Sequence, residues 1–365
     1  MTASSPAAGA LLEARGVTKH FPVHGEQLFR RSHDVVHAVD DVSLQVFPGE
    51  TLGLVGETGC GKSTLARCLT RLYDVTGGQI WFEGRDITGL SRRQMRPLRR
   101  EMQMIFQDPF GSLNPRRRVG SIIGDAFAIH GMDDSSGRKR RVQELMELVG
   151  LNPEHYNRFP AEFSGGQRQR IGVARALALH PKVIVCDEPV SALDVSIQAQ
   201  VINLLGDLQT EFGLTYVFIS HDLSVVRHVS DRIAVMYLGQ IIESGPVDAI
   251  FERTRHPYTR ALLSALPIAD PDTADSRERI VLVGDIPSPV HPPSGCRFHP
   301  RCPKAREDCV RIDPPLEPVF DDDADHRTAC LHPLTIGEDL SLSRPAIGAN
   351  ETYTEGAIGT GGSEP

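Results

Sequence analysis

One stretch constrains the fold more than any other: Thr51-Leu52-Gly53-Leu54-Val55, then Gly56-Glu57-Thr58-Gly59-Cys60-Gly61-Lys62-Ser63, then Thr64-Leu65-Ala66-Arg67-Cys68-Leu69. A short apolar run, a loop matching G-x-x-x-x-G-K-[ST] in full, and a helix start follow one another directly. Glycines let such a loop curl so that its N–H groups face phosphate, and Lys62 adds a positive charge beside the β and γ groups. Ser63 would give its hydroxyl to Mg²⁺. The fold class expected from this unit is α/β, with the loop at the C-terminal edge of a parallel sheet.

Val183-Ile184-Val185-Cys186 is a second apolar run, and it ends in Asp187-Glu188-Pro189. A central parallel strand delivers carboxylates to its C-terminal edge in this way. Asp187 is expected to hold Mg²⁺ directly or through water, and Glu188 to orient or deprotonate the attacking water. Further strands are expected over Met102–Phe106, Tyr216–Ile219 and Arg232–Met236, with a helix over Val195–Leu208. Lys62 and Asp187 stand 125 positions apart, far more than one βαβ unit needs. The pattern is β-rich from Leu11 to about Met95 and helical from about Pro97 to His180. In the helical part Val142, Leu145, Met146 and Val149 share one face, so an inserted helical subdomain over about 97–180 explains the excess.

Near the end of that insertion lies Phe163-Ser164-Gly165-Gly166-Gln167-Arg168-Gln169-Arg170. This Gly-rich turn opening a basic helix offers a second set of backbone N–H groups and a helix N-terminus for phosphate. Two phosphate-binding elements in one chain imply two half-sites that close on each other. No internal repeat is visible, so one nucleotide-binding domain is expected.

Composition narrows the setting. The chain has 365 residues, 40% hydrophobic and 24% charged, which is ordinary for a soluble globular protein longer than one typical domain. A formal net charge of −8 argues against a nucleic-acid partner. Arg92-Arg93, Arg116-Arg117-Arg118 and Arg138-Lys139-Arg140-Arg141 read as solvated faces. No apolar run approaches the ~18 residues that would span a bilayer. Met1-Thr2-Ala3-Ser4-Ser5 lacks the basic start and apolar core of a signal peptide. A cytosolic chain, attached to a membrane only through partners, is the expectation.

With the motifs in this order, the stretch from Leu11 to Pro267 resembles the nucleotide-binding subunit of an ABC transporter. The resemblance implies a P-loop NTPase fold with a RecA-like core, a β-subdomain and an inserted helical subdomain. It implies ATP contacts from Gly56, Glu57, Thr58, Gly59, Cys60, Gly61, Lys62, Ser63 and Thr64, and an adenine-stacking aromatic at Phe21. Gln107, in Ile105-Phe106-Gln107-Asp108-Pro109, fits the glutamine that touches Mg²⁺ and the attacking water while linking to the membrane subunits. Ser164, Gly165, Gly166 and Gln167 fit the signature that caps ATP bound by the opposite subunit. Asp194 fits the acidic residue that crosses the dimer interface, and His221 the γ-phosphate switch histidine. Phe163 and Thr58 depart from the commoner leucine and serine without removing a phosphate contact.

Beyond His256-Pro257-Tyr258-Thr259-Arg260 the chain changes character. Ile286-Pro287-Ser288-Pro289 and His291-Pro292-Pro293 form an extended segment that leads into Gly295-Cys296-Arg297-Phe298-His299-Pro300-Arg301-Cys302-Pro303. Four of the seven cysteines, Cys296, Cys302, Cys309 and Cys330, stand here with gaps of five, six and twenty residues. Cys60, Cys68 and Cys186 read as small buried or loop residues of the core. In a cytosolic chain four clustered cysteines point to metal before disulfides, and the lack of paired C-x₂-C knuckles ranks an iron–sulfur cluster above zinc. A metal-free cluster is the third reading. Pro287 with Gly295 to Pro303 resembles the C-terminal region of ATPases from dipeptide and oligopeptide importers, a resemblance that implies a [4Fe–4S] cluster on the four thiols. The run from Met104 to Pro115 resembles the second of the two ATPase subunits such importers often use, which implies a heterodimer.

The expected organisation is a tail over 1–10, the nucleotide-binding domain over 11–267, a Cys-rich extension over 268–334, and a polar, Gly-rich disordered tail over 335–365. The extension is expected to be structural or docking, with no part in ATP chemistry. The function so implied is an ATPase at the cytoplasmic face of the membrane that powers peptide import, with a second ATPase subunit, two transmembrane permeases and an extracytoplasmic binding protein as partners. Import of nickel, glutathione or another small solute by the same machinery is the alternative. A soluble ABC protein of translation or DNA repair is the competing class; it calls for two nucleotide domains or a long coiled-coil insertion, and neither is visible.

Overall fold

All residues of Thr51–Val55, Val183–Asp187 and Thr215–Ile219 are buried. Runs apolar on both faces belong inside a sheet covered on both sides. The computed structural model arranges them so, and it describes residues 9–23, 34–108, 111–132, 137–266, 280–319, 325–338 and 340. In chain order the strands are β1 (Leu12–Pro22), β2 (Val35–Val46), β3 (Thr51–Val55), β4 (Gly77–Phe82), β5 (Arg85–Asp86) and β6 (Met102–Ile105). They continue with β7 (Val183–Asp187), β8 (Thr215–Ile219), β9 (Arg232–Tyr237), β10 (Gln240–Pro246), β11 (Glu317–Pro318) and β12 (Arg327–Thr328). The α-helices are α1 (Lys62–Leu69), α2 (Arg92–Glu101), α3 (Val119–Ile129), α4 (Arg138–Leu148) and α5 (Gly165–Leu177). After them come α6 (Val195–Phe212), α7 (Leu223–Val229), α8 (Val247–Glu252) and α9 (Pro257–Ser264).

An eight-stranded sheet runs β11-β12-β10-β9-β3-β8-β7-β6, and a four-stranded sheet runs β2-β1-β4-β5. From β9 to β6 the large sheet is parallel; β10, β12 and β11 extend it antiparallel. Alternate residues of the parallel strands feed two cores. Leu52, Val185, Val217 and Ala234 pack toward α1 and the small sheet, with Leu12, Val39, Leu65 and Ile80. Ile184, Cys186, Phe218 and Val235 pack toward the insertion and α6, with Ile123, Val142, Met146, Ile171 and Val201. Burying each such aliphatic side chain contributes ~1.5–3 kcal/mol.

Helix α2 begins before the expected change at Pro97, because Ser91 and Gln94 close a capping box at its start and Pro97 lies inside it. Met95, placed by the sequence at the end of the β-rich stretch, is therefore a buried helical residue. In the insertion, Arg170 of α5 donates to the Val149 carbonyl at 2.7 Å and closes the end of α4.

The C-terminal segment is not a separate module. Its strand β12 pairs with β10 in register Glu243↔Thr328 and Ser244↔Arg327, so it adds an edge to the main sheet. Behind that edge the fully buried Glu243 accepts from Arg255 N–H (2.6 Å), His256 N–H (3.2 Å) and the Thr254 hydroxyl (3.0 Å), and meets His326 Nε2 at 2.9 Å. Packing also runs past the expected boundary at 334: Lys304 pairs with Glu338 at 2.7 Å and Leu340 is buried. Pro267 and most of both expected tails, 1–8 and 341–365, lie outside the described residues.

Candidate active site

The loop between β3 and α1 carries Gly56, Gly59 and Gly61 at φ +152°, +84° and +110°. A Cβ on Gly56 would come within 2.1 Å of the Met236 carbonyl oxygen, and one on Gly61 within 2.0 Å of that of Ala38, so only glycine fits at either position. Lys62 is buried, and its ammonium donates to the carbonyls of Gly56 (2.8 Å) and Glu57 (3.0 Å), with the Cys60 sulfur at 3.8 Å. No anion is among these partners, so its charge is free to meet a phosphate.

Ser63, one residue on, donates its hydroxyl to Asp187 Oδ1 at 2.7 Å. Asp187 is 1% exposed, and its Oδ2 is buried with no hydrogen-bond partner among the described residues. Burial pushes this carboxyl above the ordinary carboxylate range, and the Ser63 hydroxyl only partly offsets that. An orphaned buried carboxylate oxygen beside a hydroxyl is a costly arrangement that a hard divalent cation relieves, so Ser63 and Asp187 fit Mg²⁺.

Glu188 turns out of β7 in the left-handed conformation, φ +47°, with its N–H donating to the Ile219 carbonyl at 3.0 Å. This turn aims the carboxylate at the ends of the neighbouring strands. Gln107 Nε2, just past β6, donates to Glu188 Oε2 at 2.9 Å; His221 Nδ1, just past β8, lies 3.4 Å from the same oxygen. Strand order β8-β7-β6 makes the convergence possible, since the three residues follow adjacent strands. Glu188 is largely shielded (side chain 12% exposed), whereas the His221 ring is 54% exposed.

The signature turn is built differently. Ser164 Oγ accepts from Gln167 N–H at 3.3 Å and Gln167 Oε1 accepts from Ser164 N–H at 3.0 Å, a capping box at the start of α5. Both residues are exposed, and among the described residues no hydrogen bond links them to Lys62, Asp187 or Glu188. A Cβ on Gly166 would lie 2.4 Å from Ile197 Cγ2, so α5 and α6 meet at glycine distance. Asp194 caps α6, accepting from the Ser196 hydroxyl (2.7 Å) and Ile197 N–H (3.0 Å), bonds that hold its carboxyl below the usual range. Further along α5, Arg175 donates to the Ser112 carbonyl at 2.8 Å, tying the signature helix to the segment after Gln107. Phe21 meets Tyr73 edge-on at 5.7 Å, with the Lys19 ammonium 4.9 Å from its ring, and Tyr73 accepts from Arg67 of α1 at 3.2 Å.

Several residues at the site were not anticipated. Arg301 of the extension grips the Glu57 carboxylate with two bonds, 2.9 and 3.2 Å. Tyr258 of α9 accepts from Glu57 N–H at 3.0 Å through its hydroxyl. Arg297 donates to the Leu238 carbonyl at 2.5 Å and pairs with Asp40, while Phe298 packs against Tyr237 and Tyr258 at 5.3 Å each. The extension therefore touches the P-loop, a contact that the expected organisation did not include. The only sequence hint was an acid, Glu57, inside a phosphate-binding loop; nothing in the spacing named its counter-ion.

Cys296, Cys302, Cys309 and Cys330 line one small pocket with His256, Phe298 and Lys304, and none forms a disulfide. Burial pushes the Cys296 thiol up to about 11 and the Cys302 and Cys330 thiols to about 12. Four converging thiols whose anions are disfavoured without a cation fit a thiophilic metal group. Asp308, Cys309 and His332 also bring three donor atoms within 4.8 Å of one another.

Two family models match the chain: "ABC transporter" over residues 39–191 and "Oligopeptide/dipeptide transporter, C-terminal region" over residues 242–309. The chain is 56% identical over 300 residues to the oligopeptide transport ATP-binding protein AppF of Bacillus subtilis, spanning 82% of this chain and 91% of that protein. It is 49% identical over 333 residues to the oligopeptide transport ATP-binding protein OppF of Escherichia coli, spanning 91% and 98%. Its fold matches the dimeric post-hydrolysis structure of the ATP-binding cassette MJ0796 bound to ADP and Pi, with TM-score 0.58 and 27% identity over 65% of this chain and 98% of that one. Likeness of this degree, shared across the P-loop core and the C-terminal region alike, places the chain in the ABC transporter family, among the ATP-binding proteins of the oligopeptide/dipeptide type.

Proposed function

We propose that this chain is the ATP-hydrolysing subunit of a peptide importer, driving di- or oligopeptides across the cytoplasmic membrane. The convergence of Gln107 and His221 on one oxygen of Glu188, beside Asp187 and the P-loop, carries the ATPase part of the reading. The peptide cargo is supported by relatives whose names are oligopeptide and di/tripeptide transport ATP-binding proteins.

ATP binds with its phosphates on the N–H groups of Gly59 to Ser63 and its γ-phosphate on Lys62. Ser63 and Asp187 would hold Mg²⁺, which when bound would supply positive charge against the phosphates. Gln107 and His221 fix Glu188 so that one carboxylate oxygen accepts the proton of the attacking water. Ser164, Gly165, Gly166 and Gln167 close over the γ-phosphate of ATP bound by the partner subunit, with Asp194 at the interface and Phe21 beside the adenine in this chain's own site. When the γ-phosphate leaves, Lys62, His221 and the opposing signature lose their shared ligand and the dimer reopens. Arg175 and the Ser112 carbonyl join the two moving parts of each subunit, passing the motion toward the groove between β6, α2 and α3 where permeases would dock.

The partners so required are a second ATPase subunit in a heterodimer, two permeases and an extracytoplasmic binding protein, with the chain held at the cytoplasmic face through the permeases. No helix of the described residues is long and apolar enough to cross a membrane. Reconstitution with the permeases in vesicles should give ATP-dependent peptide uptake. Recovery of ribosomes instead of permeases in a pull-down would overturn the transporter reading.

The thiol pocket we assign to a [4Fe–4S] cluster on Cys296, Cys302, Cys309 and Cys330, the donor set such clusters use. Anaerobically purified protein should be brown, with about four irons per chain. Colourless protein with stoichiometric zinc would favour zinc, for which Asp308 and His332 offer further donors; four freely titrating thiols in native protein would remove the metal altogether.

A further inference from the structure

We propose that Arg301 is a positioning residue for the P-loop: it neutralises and fixes Glu57, so that the thiol-lined extension and the ATP-binding loop work as one unit. The inference rests on the P-loop being the ATP site, and ATP binding by the unmodified chain tests that reading separately.

Glu57 is an anomaly in its place. It is an acid inside a loop that receives a polyanion, and an unpaired carboxylate there would repel the phosphates it borders. The structure answers with a bidentate guanidinium: Arg301 bonds Glu57 Oε2 at 2.9 Å and Oε1 at 3.2 Å, in a site where the two side chains are only 9% and 22% exposed. Fork-to-fork geometry of this kind fixes direction as well as charge. Glu57 is then held at three points, its carboxylate by Arg301, its N–H by the Tyr258 hydroxyl and its carbonyl by the Lys62 ammonium. Arg301 and the phosphate-binding Lys62 thus meet on the same residue.

Arg301 has little freedom of its own. It precedes Cys302 directly, and the segment from Arg297 to Arg301 lies between two thiols of the pocket. Arg297 is anchored on Leu238 and Asp40, and Phe298 is wedged against Tyr237 and Tyr258. Leu238 follows the strand whose Met236 carbonyl walls Gly56. A change at the thiol pocket therefore reaches the P-loop through one short, packed segment.

The test is ATP affinity of the full-length subunit, with KM and kcat in the assembled transporter. Arg301→Gln should raise the KM for ATP about 10-fold and alter kcat less than about 2-fold, as expected when binding common to ground and transition states is lost. Glu57→Gln added to that variant should restore most of the affinity, because the unpaired charge is then gone. A role in holding the fold alone predicts the opposite, a double variant no better than Arg301→Gln, and that result would overturn the proposal. So would an unchanged KM in Arg301→Gln. If Arg301→Gln does not fold, Arg301→Lys keeps the charge and loses the fork: an ATP KM raised about 3-fold, and corrected by Glu57→Gln, supports the proposal, while a KM equal to the parent's overturns it.

Discussion

The two elements proposed to bind phosphate are made in opposite ways. Around the P-loop, groups from β3, β6, β7, β8, α9 and the extension are buried or linked to one another, and the Asp187 Oδ2 atom and the Lys62 charge, which a ligand could meet, have no counter-ion among the bonds described. At the signature turn, Ser164 and Gln167 satisfy each other, Asp194 satisfies its own helix, and the surface around them is open, with Val195 81% exposed. One element is a site preorganised within a single chain. The other, on the proposed reading, is a face for a partner, and its capping box already satisfies the polar groups of the turn.

That contrast can be broken most sharply at Glu188. Glu188→Gln should leave ATP bound and slow turnover ~10²–10⁴-fold in the assembled complex, the range for losing a general base. Near-normal steady-state hydrolysis would mean that the P-loop side does not carry the proton acceptor.

A smaller effect is expected across the interface. Ser164→Arg should leave ATP affinity at the chain's own P-loop unchanged and reduce hydrolysis at the partner's site ~10²–10³-fold, as for loss of a transition-state donor. Loss of nucleotide binding by the isolated subunit would show that the two elements serve one site in one chain.

The smallest effect tests whether the α5–α6 joint braces the signature face. Gly166→Ala puts a methyl group 2.4 Å from Ile197 Cγ2, so the α5–α6 joint must shift. A net loss of about 1 kcal/mol is expected once the better helix propensity of alanine is set against the overpacking, read as a lowered melting temperature. An equal or higher melting temperature would mean that Ile197 yields easily and that this joint does not brace the signature.

Much of the site was legible because its chemistry is local in sequence. Gly56 to Ser63 must be contiguous to curl around phosphate, apolar runs on both faces declare buried parallel strands, and Ser164 with Gln167 spells a helix cap. The inserted helical subdomain followed from chain length between Lys62 and Asp187. The start of α2 was missed because the helical pattern was placed from about Pro97 onward, whereas the cap at Ser91 had already set the helix.

Tertiary structure alone decided which atoms meet. Gln107 and Glu188 are 81 positions apart, and the amide donates to the carboxylate only because β6 and β7 are neighbours in the sheet. Strands β11 and β12 have two residues each, too few to show an alternating pattern, yet they make the extension part of the catalytic sheet. Glu57 and Arg301, 244 positions apart, carry no periodicity, spacing or motif that would pair them. The phosphate loop, the carboxylate pair and the turn at Ser164 could be picked out from sequence, since each is a short contiguous run with its own local pattern. How the extension bears on that loop was decided by packing, where a part-buried carboxylate takes the cation that the folded chain brings within reach.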